Sequence, residues 1–253
     1  MSSTPGIVPV KKRQFLFGDA VFDIAYVLQD KVFTKPTAER DGIHIEGTDY
    51  DKPVLVTNCT VDFSDCIEET DELVSVVHGG IVIFDHCIFR CGRKAALIGT
   101  GDKGEIGSKV FFVDCEFSDF GRRGPEVQSH SFVRMKNCTI RNWGSNKFFD
   151  TRNFAAWVHD GGYLCMDDCT FIQHNSVFHH LFEDVGNHIG NMFNEGRRNG
   201  SILKGILYCI RHPIHCLLPG VWRGAICDDS DSILICLNCH TKGIVYLQRN
   251  AGF

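Results

Sequence analysis

The amino-acid sequence predicts an all-β fold, a parallel β-helix in which one chain winds into stacked coils, and three observations lead to that prediction. A short phrase recurs six times: an apolar residue, a spacer, then Asn, Asp or His, then Cys, usually with an apolar residue two positions later. The segments around these cysteines are short and rich in Val, Ile, Phe and Thr, which favours strands over helices. The near-constant step between copies is typical of a solenoid. Steps of 28, 28, 23 and 31 residues separate Cys59, Cys87, Cys115, Cys138 and Cys169.

Each copy of the phrase is interpreted as a strand, a bend and a second strand. The bend falls on the residue before the cysteine, because Asn, Asp and His tolerate the left-handed backbone conformation better than most residues. If one phrase marks each coil, equivalent cysteines stack at ~4.8 Å, the spacing of neighbouring strands, and form a ladder inside the fold. The sixth copy has its cysteine at Cys239, far along the chain from Cys169, and Cys209 is a candidate for a degenerate rung between them. The predicted bend residues are Asn58, His86, Asp114, Asn137, Asp168 and Asn238.

The chain is predicted to form a single domain over residues 1–253. Residues 1–45 are expected to form entry coils or a cap, and the segment DGIHIEG (Asp41–Gly47) already alternates as a strand does. Regular coils are expected over residues 46–172, with bends at the glycine pairs 79–80 and 161–162. Residues 173–253 are expected to add further coils and a C-terminal cap, and apolar residues at helical spacing predict a short helix near residues 175–194.

Composition argues against several classes of function. A net charge of −5 and a pI near 6.2 give no reason to expect nucleic acid or an anionic membrane as a partner. No stretch approaches the ~20 apolar residues of a membrane-spanning helix. The 13 cysteines are expected to be reduced, because the first residues lack the pattern of a secretory signal. We therefore expect cytoplasmic synthesis, with release or assembly outside the classical secretory route.

A zinc site near the C-terminal end is an alternative role for the last two cysteines. Cys236-x-x-Cys239 has a spacing that zinc ligands use. Residues three apart on one strand point to opposite faces, however, so we do not expect the two thiols to share a metal. The neighbouring residues that would have to complete such a site are His212, His215, Cys216 and His240.

Basic residues follow three successive copies of the phrase at a similar coil position. Equal coil positions of a solenoid lie on one wall, so these residues predict a basic stripe that suits an extended polyanion. The alternative is that they only solvate the outer wall, as exposed charges commonly do. The residues are Arg90, Arg93, Lys94, Arg122, Arg123 and Arg141.

Two long segments carry a resemblance to a known family. The first, Asp71–Asp102, contains a lysine shortly before Leu-Ile-Gly and an aspartate. The second, Lys109–Ile140, contains Arg-x-Pro and a closing strand with paired polar residues. In this order the motifs resemble those of the pectate lyases of the first polysaccharide lyase family, and the resemblance extends over about residues 41–172.

The resemblance implies a right-handed parallel β-helix with its chemistry in an outer groove. In that family calcium bridges an acidic groove to a uronate carboxylate, a basic residue removes the C5 proton, and β-elimination breaks the glycosidic bond. By position, Arg123 corresponds to the arginine assigned as the proton abstractor, and Lys94 to the lysine that holds the carboxylate. Asp71 corresponds to one calcium-binding aspartate. The residues expected to contact the sugar are Arg93, Arg122, Pro125 and Gln128.

The chain departs from the family at several of these positions. Gln128 stands where the family has a second substrate-binding arginine, and Glu126 where a third basic residue is common. Ser75 stands where a second calcium aspartate is expected, so the expected calcium ligands become a new set of acidic residues. That set is Asp71, Glu72, Asp62 and Asp65.

Two functions remain open at this point. The first is a calcium-assisted lyase that acts on an acidic polysaccharide. The second is a β-helix that has kept the fold and lost the chemistry, and that serves as a structural or glycan-binding component of a particle, spike or ordered assembly. Whether Asp71, Lys94 and Arg123 face one groove distinguishes the two at the level of structure.

Overall fold

Short strands in three parallel-stacked sheets make up the fold of this protein. The computed structural model describes residues 3–66, 70–100, 105–144, 154–173, 203, 223–227, 229–242 and 246–249. Apart from a 3-10 turn at Gly47–Asp49, nearly all regular structure in these residues is β-strand. The predicted helix near residues 175–194 lies outside the described residues. Within the described part of the chain, no helix is long and apolar enough to span a membrane.

Sheet A contains eight strands among the described residues. An antiparallel hairpin starts it, and each later strand lies parallel to the one before. In spatial order they are β1 (Val8–Phe17), β2 (Ala20–Gln29), β5 (Val54–Thr57), β8 (Ile81–Asp85), β11 (Lys109–Val113), β14 (Phe132–Lys136), β17 (Tyr163–Asp167) and β20 (Ile233–Leu237).

Sheets B and C each contain seven strands within the described ranges, all parallel. Sheet B contains β3 (Val32–Phe33), β6 (Thr60–Asp62), β9 (Ile88–Arg90), β12 (Glu116–Ser118), β15 (Thr139–Arg141), β18 (Thr170–Ile172) and β21 (His240–Lys242). Sheet C contains β4 (Ile43–Glu46), β7 (Glu72–Val77), β10 (Lys94–Ile98), β13 (Pro125–Val127), β16 (Ala156–Val158), β19 (Arg223–Cys227) and β22 (Tyr246–Arg249). Each complete coil contributes one strand to each sheet, which is the architecture of a parallel β-helix.

Strand register confirms the cysteine spacing as the period of the solenoid. The inward residues of sheet A pair as Val54, Val82, Val110, Val133 and Leu164, and they follow one another by the same steps as the first five ladder cysteines. The next partner of Leu164 is Leu234, which repeats the long step from Cys169 to Cys239. The suggested rung at Cys209 lies outside the described residues, and β17 pairs directly with β20 as β18 does with β21.

The predicted bends adopt the left-handed conformation. All six predicted bend residues have φ between 50° and 53°. The bend turns the following cysteine inward, and the first five ladder cysteines are at most 3% exposed. Each thiol bonds to backbone carbonyls, as when Cys87 Sγ donates to Val56 O of the previous coil at 3.5 Å. The ladder cysteines are therefore structural and fill the interior, where free thiols pack as small apolar groups.

Aromatic residues stack along the interior in the same way as the cysteines. Phe84 lies on Phe112 with ring centroids 4.9 Å apart, and Phe89 lies on Phe117 at 5.0 Å. These distances match the spacing of neighbouring strands, so each side chain contacts its equivalent one coil away. Inside the solenoid, the buried apolar residues form one continuous cluster from Leu28 to Ala225.

The N-terminal hairpin covers part of the outer face of sheet A. Phe17 and Phe22 pack on Phe111, which points outward from β11, at centroid distances of 5.2 and 4.9 Å. Leu55 and Ile83 belong to the same outer cluster and are at most 1% exposed. The outer faces of sheets A and C therefore differ in chemistry, since sheet A carries an apolar cluster and sheet C carries the charged residues described next.

Candidate functional site

A column of outward-facing residues on sheet C forms the centre of the candidate site. His44, Ser75, Leu97, Glu126 and Trp157 pair in register across five neighbouring strands. Pairing of Lys94 with Glu72 places the lysine beside this column. Arg123 lies one coil further, because Ala96 pairs with Pro125. The predicted pair Lys94 and Arg123 therefore comes together on adjacent coils.

Glu126 is the residue on which this site converges. Its Oε2 atom lies 2.8 Å from Arg123 Nε and 3.6 Å from Lys94 Nζ. Its Oε1 atom hydrogen-bonds His159 Nε2 at 3.1 Å, and His159 Nδ1 lies 2.9 Å from Asp160. Glu126 is 4% exposed. One nearly buried carboxylate therefore contacts two cations and an imidazole.

Local backbone packing and an aromatic ring fix the position of Arg123. A Cβ atom added at Gly124 would lie 1.6 Å from the carbonyl oxygen of Ala155, so only glycine allows the two coils to approach here. The Arg123 guanidinium carbon lies 4.4 Å from the centre of the Trp157 ring, a cation–π contact. That ring also packs on the imidazole of His159, with centroids 4.0 Å apart. The arginine is held by a carboxylate on one side and an indole on the other.

The surrounding charges set the protonation of Glu126 and His159. Burial acts to raise the pKa of Glu126, but the hydrogen bond with His159 and the charges of Arg123 and Lys94 outweigh it, so the pKa lies below its ordinary value. Burial acts to lower the pKa of His159, but the Glu126 and Asp160 carboxylates raise it above its ordinary value. Glu126 is therefore ionised at neutral pH, and His159 tends towards the imidazolium form.

A second group of buried polar residues adjoins Lys94. Lys94 Nζ donates to Glu72 Oε1 at 2.5 Å. Burial raises the pKa of Glu72 to about 7; Lys94 opposes this rise, and the neighbouring Asp41 adds to it. Asp41 also bonds His44 Nδ1 at 3.1 Å, which raises the pKa of that histidine. Glu72 and Glu126 thus lie on two sides of Lys94 with pKa values shifted in opposite directions.

Asp71 lies beside this cluster and faces a different set of partners. Its Oδ1 atom accepts a hydrogen bond from Arg93 at 2.8 Å, and its Oδ2 atom lies 3.6 Å from Arg40 Nε. Backbone hydrogen bonds align Arg40 with Asp71, and Arg93 with Arg122. Of the three residues expected to face one groove, Lys94 and Arg123 meet at Glu126, while Asp71 pairs with arginines.

The four acidic residues expected to bind calcium do not fit a common calcium site. Asp62 lies on sheet B, where its Oδ2 contacts Arg90 at 2.8 Å, and Asp65 follows in a turn that lines a surface pocket with Lys35 and Arg40. Asp71 is engaged by arginines, and Glu72 by Lys94. Calcium requires six to eight oxygens around one point. Among the described residues, the one group of three His, Cys or acidic side chains with ligand atoms within 4.8 Å of one another is Asp85, His86 and Asp114, on the bend ladder.

The remaining predicted residues divide between the interior and other faces. Pro125 is buried at the inward position that pairs with Ala96, and Gln128 donates to Gly99 O at 3.0 Å with 7% of its surface exposed. The predicted basic stripe is split between sheets. Arg90 and Arg141 belong to sheet B, whereas Lys94 begins β10 of sheet C. In both sheets these cations lie against carboxylates, which lowers the positive charge of the predicted stripe.

Sequence reasoning did not identify His44, Trp157 or His159 as site residues. Alternation in DGIHIEG placed Ile43 and Ile45 inside and therefore His44 outside, so the signal for this histidine was present. Aligning Glu126-Val-Gln with Trp157-Val-His would have placed His159 beside the column. The step from Cys138 to Cys169 gives this alignment, because Glu126 and Trp157 are separated by the same number of residues.

The comparisons with known proteins agree with this geometry at the level of the fold. A family model described as the right handed beta helix region matches residues 33–194, more than half of the chain. Searches of the curated proteins and of the solved structures found no match. The matched residues include the strands from β4 to β18 and the whole Glu126 cluster. The chain therefore belongs to the right-handed β-helix family, as the sequence predicts.

Proposed function

We propose that this protein is a polysaccharide lyase of the pectate lyase type, which acts on an acidic polysaccharide at the outer face of sheet C. The observation that supports this proposal is the position of Glu126. One carboxylate oxygen contacts both Lys94 and Arg123, which come from adjacent coils. Two cations spaced to hold one carboxylate can hold another, and a uronate residue presents the same chemical group.

The chemistry follows from holding the uronate carboxylate between these cations. Positive charge beside the carboxylate stabilises the negative charge that develops when the C5 proton leaves. The electrons of the C5–H bond form a double bond between C4 and C5, the C4–O bond breaks, and the departing oxygen takes up a proton. The resemblance assigns proton removal to Arg123, which must first lose its own proton because a guanidinium ordinarily stays protonated. In that step Lys94 supplies the positive charge beside the uronate carboxylate. No step is assigned to calcium, because the four expected ligands do not fit one site.

Substrate entry requires Glu126 to leave the space between the two cations. His159 already holds the other oxygen of this carboxylate at 3.1 Å, so it offers a partner for Glu126 once the uronate has entered. Glu126 is thus an internal competitor of the substrate. Its low pKa means that protonation does not release it near neutral pH.

A second candidate function is a structural or glycan-binding β-helix without catalysis, as a component of an ordered assembly. The observation that favours it is the neutralisation of the cluster: Arg123 is 8% exposed, and both cations already contact carboxylates. A closed network of this kind is expected if the fold has been kept after the chemistry was lost. Binding without turnover is the property that separates this candidate from the lyase.

The decisive experiment follows the unsaturated product by its ultraviolet absorbance with polygalacturonate, in calcium and in a chelator. Turnover by the wild type supports the lyase, and Arg123→Ala should lower it roughly 10²–10⁴-fold if Arg123 takes part in proton transfer. Arg141→Ala is the matched control, because this arginine lies on sheet B, where its Nη2 atom is 3.9 Å from Glu116 Oε2. Absence of turnover on polygalacturonate, methylated pectin and other uronans would remove the lyase from consideration.

A binding experiment tests the position of Glu126 independently of turnover. Glu126→Ala removes the internal carboxylate, so galacturonate should bind this variant at least about tenfold more tightly than the wild type, a difference of ~1.4 kcal/mol. Added acetate should raise the melting temperature of Glu126→Ala more than that of the wild type, because ligand binding stabilises the folded state. Glu116→Ala, which removes a half-exposed carboxylate on β12, is the control. Equal affinities in all three proteins would show that the cation pair does not hold uronates.

A further inference from the structure

The bend between sheets A and B carries a ladder of polar side chains, in which amides bond to carboxylates of neighbouring coils. Asn58 Nδ2 donates to Asp30 Oδ1 at 3.3 Å, and Asn137 Nδ2 donates to Asp114 Oδ1. These bonds join the exposed bends of successive coils. On the coil that follows Asn58, the same bend position is occupied by His86, whose side chain is 61% exposed.

His86 lies between two carboxylates that come from two coils. Its Nδ1 atom bonds to Asp85 Oδ1 at 2.8 Å, and its Nε2 atom lies 3.8 Å from Asp114 Oδ2. A carboxylate accepts hydrogen bonds, so Nδ1 carries the proton of the neutral imidazole and Nε2 has a lone pair. The distance of 3.8 Å is too long for a hydrogen bond. It separates two electron-rich atoms, and a cation placed between them would be bound by both.

We propose that Asp85, His86 and Asp114 form a binding site for a divalent transition metal ion, with zinc as the best match. The ligand atoms of the three side chains lie within 4.8 Å of one another. Zinc binds nitrogen and carboxylate oxygen at about 2.0–2.2 Å, so two ligands of a tetrahedral ion lie about 3.3 Å apart. Small rotations of the side chains bring them to that separation, and solvent reaches all three.

The choice of ion follows from the ligand atoms that are present. Imidazole nitrogen suits zinc and its neighbours among the transition metals, whereas calcium takes six to eight oxygens. Zinc also accepts carboxylate oxygen beside imidazole in a tetrahedral arrangement. Three protein ligands leave the fourth position of the ion for water.

Neighbouring side chains hold both carboxylates in place. Thr57 Oγ1 donates to Asp85 Oδ2 at 3.1 Å. Asn137 donates to Asp114 Oδ1, while Oδ2 of the same carboxylate lies on the side of His86. Hydrogen bonds of this kind orient the ligands of a metal. Because β8 and β11 belong to adjacent coils, the ion would link two coils, and its site is independent of the proposed lyase on the outer face of sheet C.

The test is a titration of the full chain with Zn²⁺ by isothermal calorimetry, with the thiols kept reduced. The first variant is His86→Asn, because Asn58 and Asn137 hold the same bend on other coils with φ of 53°, close to the 52° of His86. The replacement therefore keeps the backbone conformation and removes the imidazole. The wild type should bind one Zn²⁺ at least tenfold more tightly than this variant does. Asp114→Asn should show the same loss.

Asp168→Asn is the matched control, because Asp168 is an exposed bend residue of the same ladder outside the proposed site. This variant should bind Zn²⁺ as the wild type does. The cysteines are the same in every protein compared, so their contribution cancels. Zinc should also raise the melting temperature of the wild type more than that of His86→Asn, because the ligand atoms come together only in the folded chain.

Equal zinc affinities of the wild type, His86→Asn and Asp114→Asn would overturn the proposal. An equal loss in Asp168→Asn would overturn it too, because the ion would then respond to the general negative charge of the ladder and not to this group of three side chains.

Discussion

The interior of the solenoid and the outer face of sheet C are built on the same strands but follow different rules. On β13, Val127 points inward and is fully buried, while its neighbours Glu126 and Gln128 point outward into a polar cluster. Inside, each coil repeats the contact made by the coil before it, as Phe84 and Phe112 do. Outside, each coil contributes a different group to a single cluster. Residues that repeat from coil to coil therefore indicate the fold, and outward positions at which successive coils carry different residues indicate the candidate site.

The largest effect is expected from a substitution that removes one buried aromatic side chain from the interior. Phe112 is fully buried, stacks on Phe84 at 4.9 Å and meets Phe117 edge-on at 5.2 Å. Phe112→Ala should lower the free energy of unfolding by about 3–5 kcal/mol, because it removes buried apolar area and leaves a cavity between coils. Denaturant unfolding measures this loss. Leu16→Ala, at a residue 70% exposed, should change stability by no more than about 0.5 kcal/mol.

A loss below about 1 kcal/mol for Phe112→Ala would mean that neighbouring coils close over the cavity, and that the interior is not one tightly packed column.

The interior is also the part of the molecule that the sequence predicts best. The six-fold phrase supplies the period, the residue that bends and the cysteine that turns inward, and all three agree with the register and with the φ angles. The period does not predict the pairing of coils where the step between ladder cysteines is long. Cys169 and Cys239 are far apart along the chain, yet their coils are neighbours, because strand pairing depends on space and not on the length of the connection.

The second largest effect is expected when the pH is changed, because the outer cluster contains buried ionisable groups and the interior does not depend on such groups for its packing. Burial raises the pKa of Glu72 to about 7, whereas an unfolded glutamate titrates near pH 4.3. The folded protein thus holds this proton more tightly, so the contribution of Glu72 to stability is greatest at acid pH and is lost as the pH rises towards 7. Between pH 5 and pH 8 the wild type should lose about 2–3 kcal/mol relative to Glu72→Gln, measured by urea unfolding at both values.

The difference between the two proteins isolates Glu72. The pKa of His159 is also raised, and its contribution also falls as the pH rises, but it is present in both proteins and cancels. A constant difference from pH 5 to pH 8 would mean that Glu72 is ionised throughout and that the ion pair with Lys94 outweighs its burial.

The outer cluster could be predicted only in part from the sequence. Lys94 and Arg123 were identified by the resemblance, and their meeting follows from the coil period. The contact of the Glu126 carboxylate with both of these cations could not be predicted, because it depends on the side-chain conformations of residues on two coils. Asp71 is a second example. The sequence shows a carboxylate near the expected position, but its contacts with Arg40 and Arg93 depend on how the neighbouring coils place those arginines.

The smallest expected effect comes from an ion pair with the same length as the one at the centre of the site. Asp62–Arg90 and Glu126–Arg123 both have a nitrogen–oxygen distance of 2.8 Å. The side chains of the first pair are 22% and 47% exposed, and those of the second are 5% and 10% exposed. A double-mutant cycle on Asp62 and Arg90 should give a coupling of about 0.2–1 kcal/mol, because water screens exposed charges and competes for them. Raising the salt concentration to 0.5 M should remove most of this coupling.

The same cycle on Glu126 and Arg123 should give a larger coupling that persists in salt, since little solvent reaches either group. Equal couplings would mean that burial of the cluster does not strengthen its contacts, and the outer face of sheet C would then resemble an ordinary surface despite its low exposure.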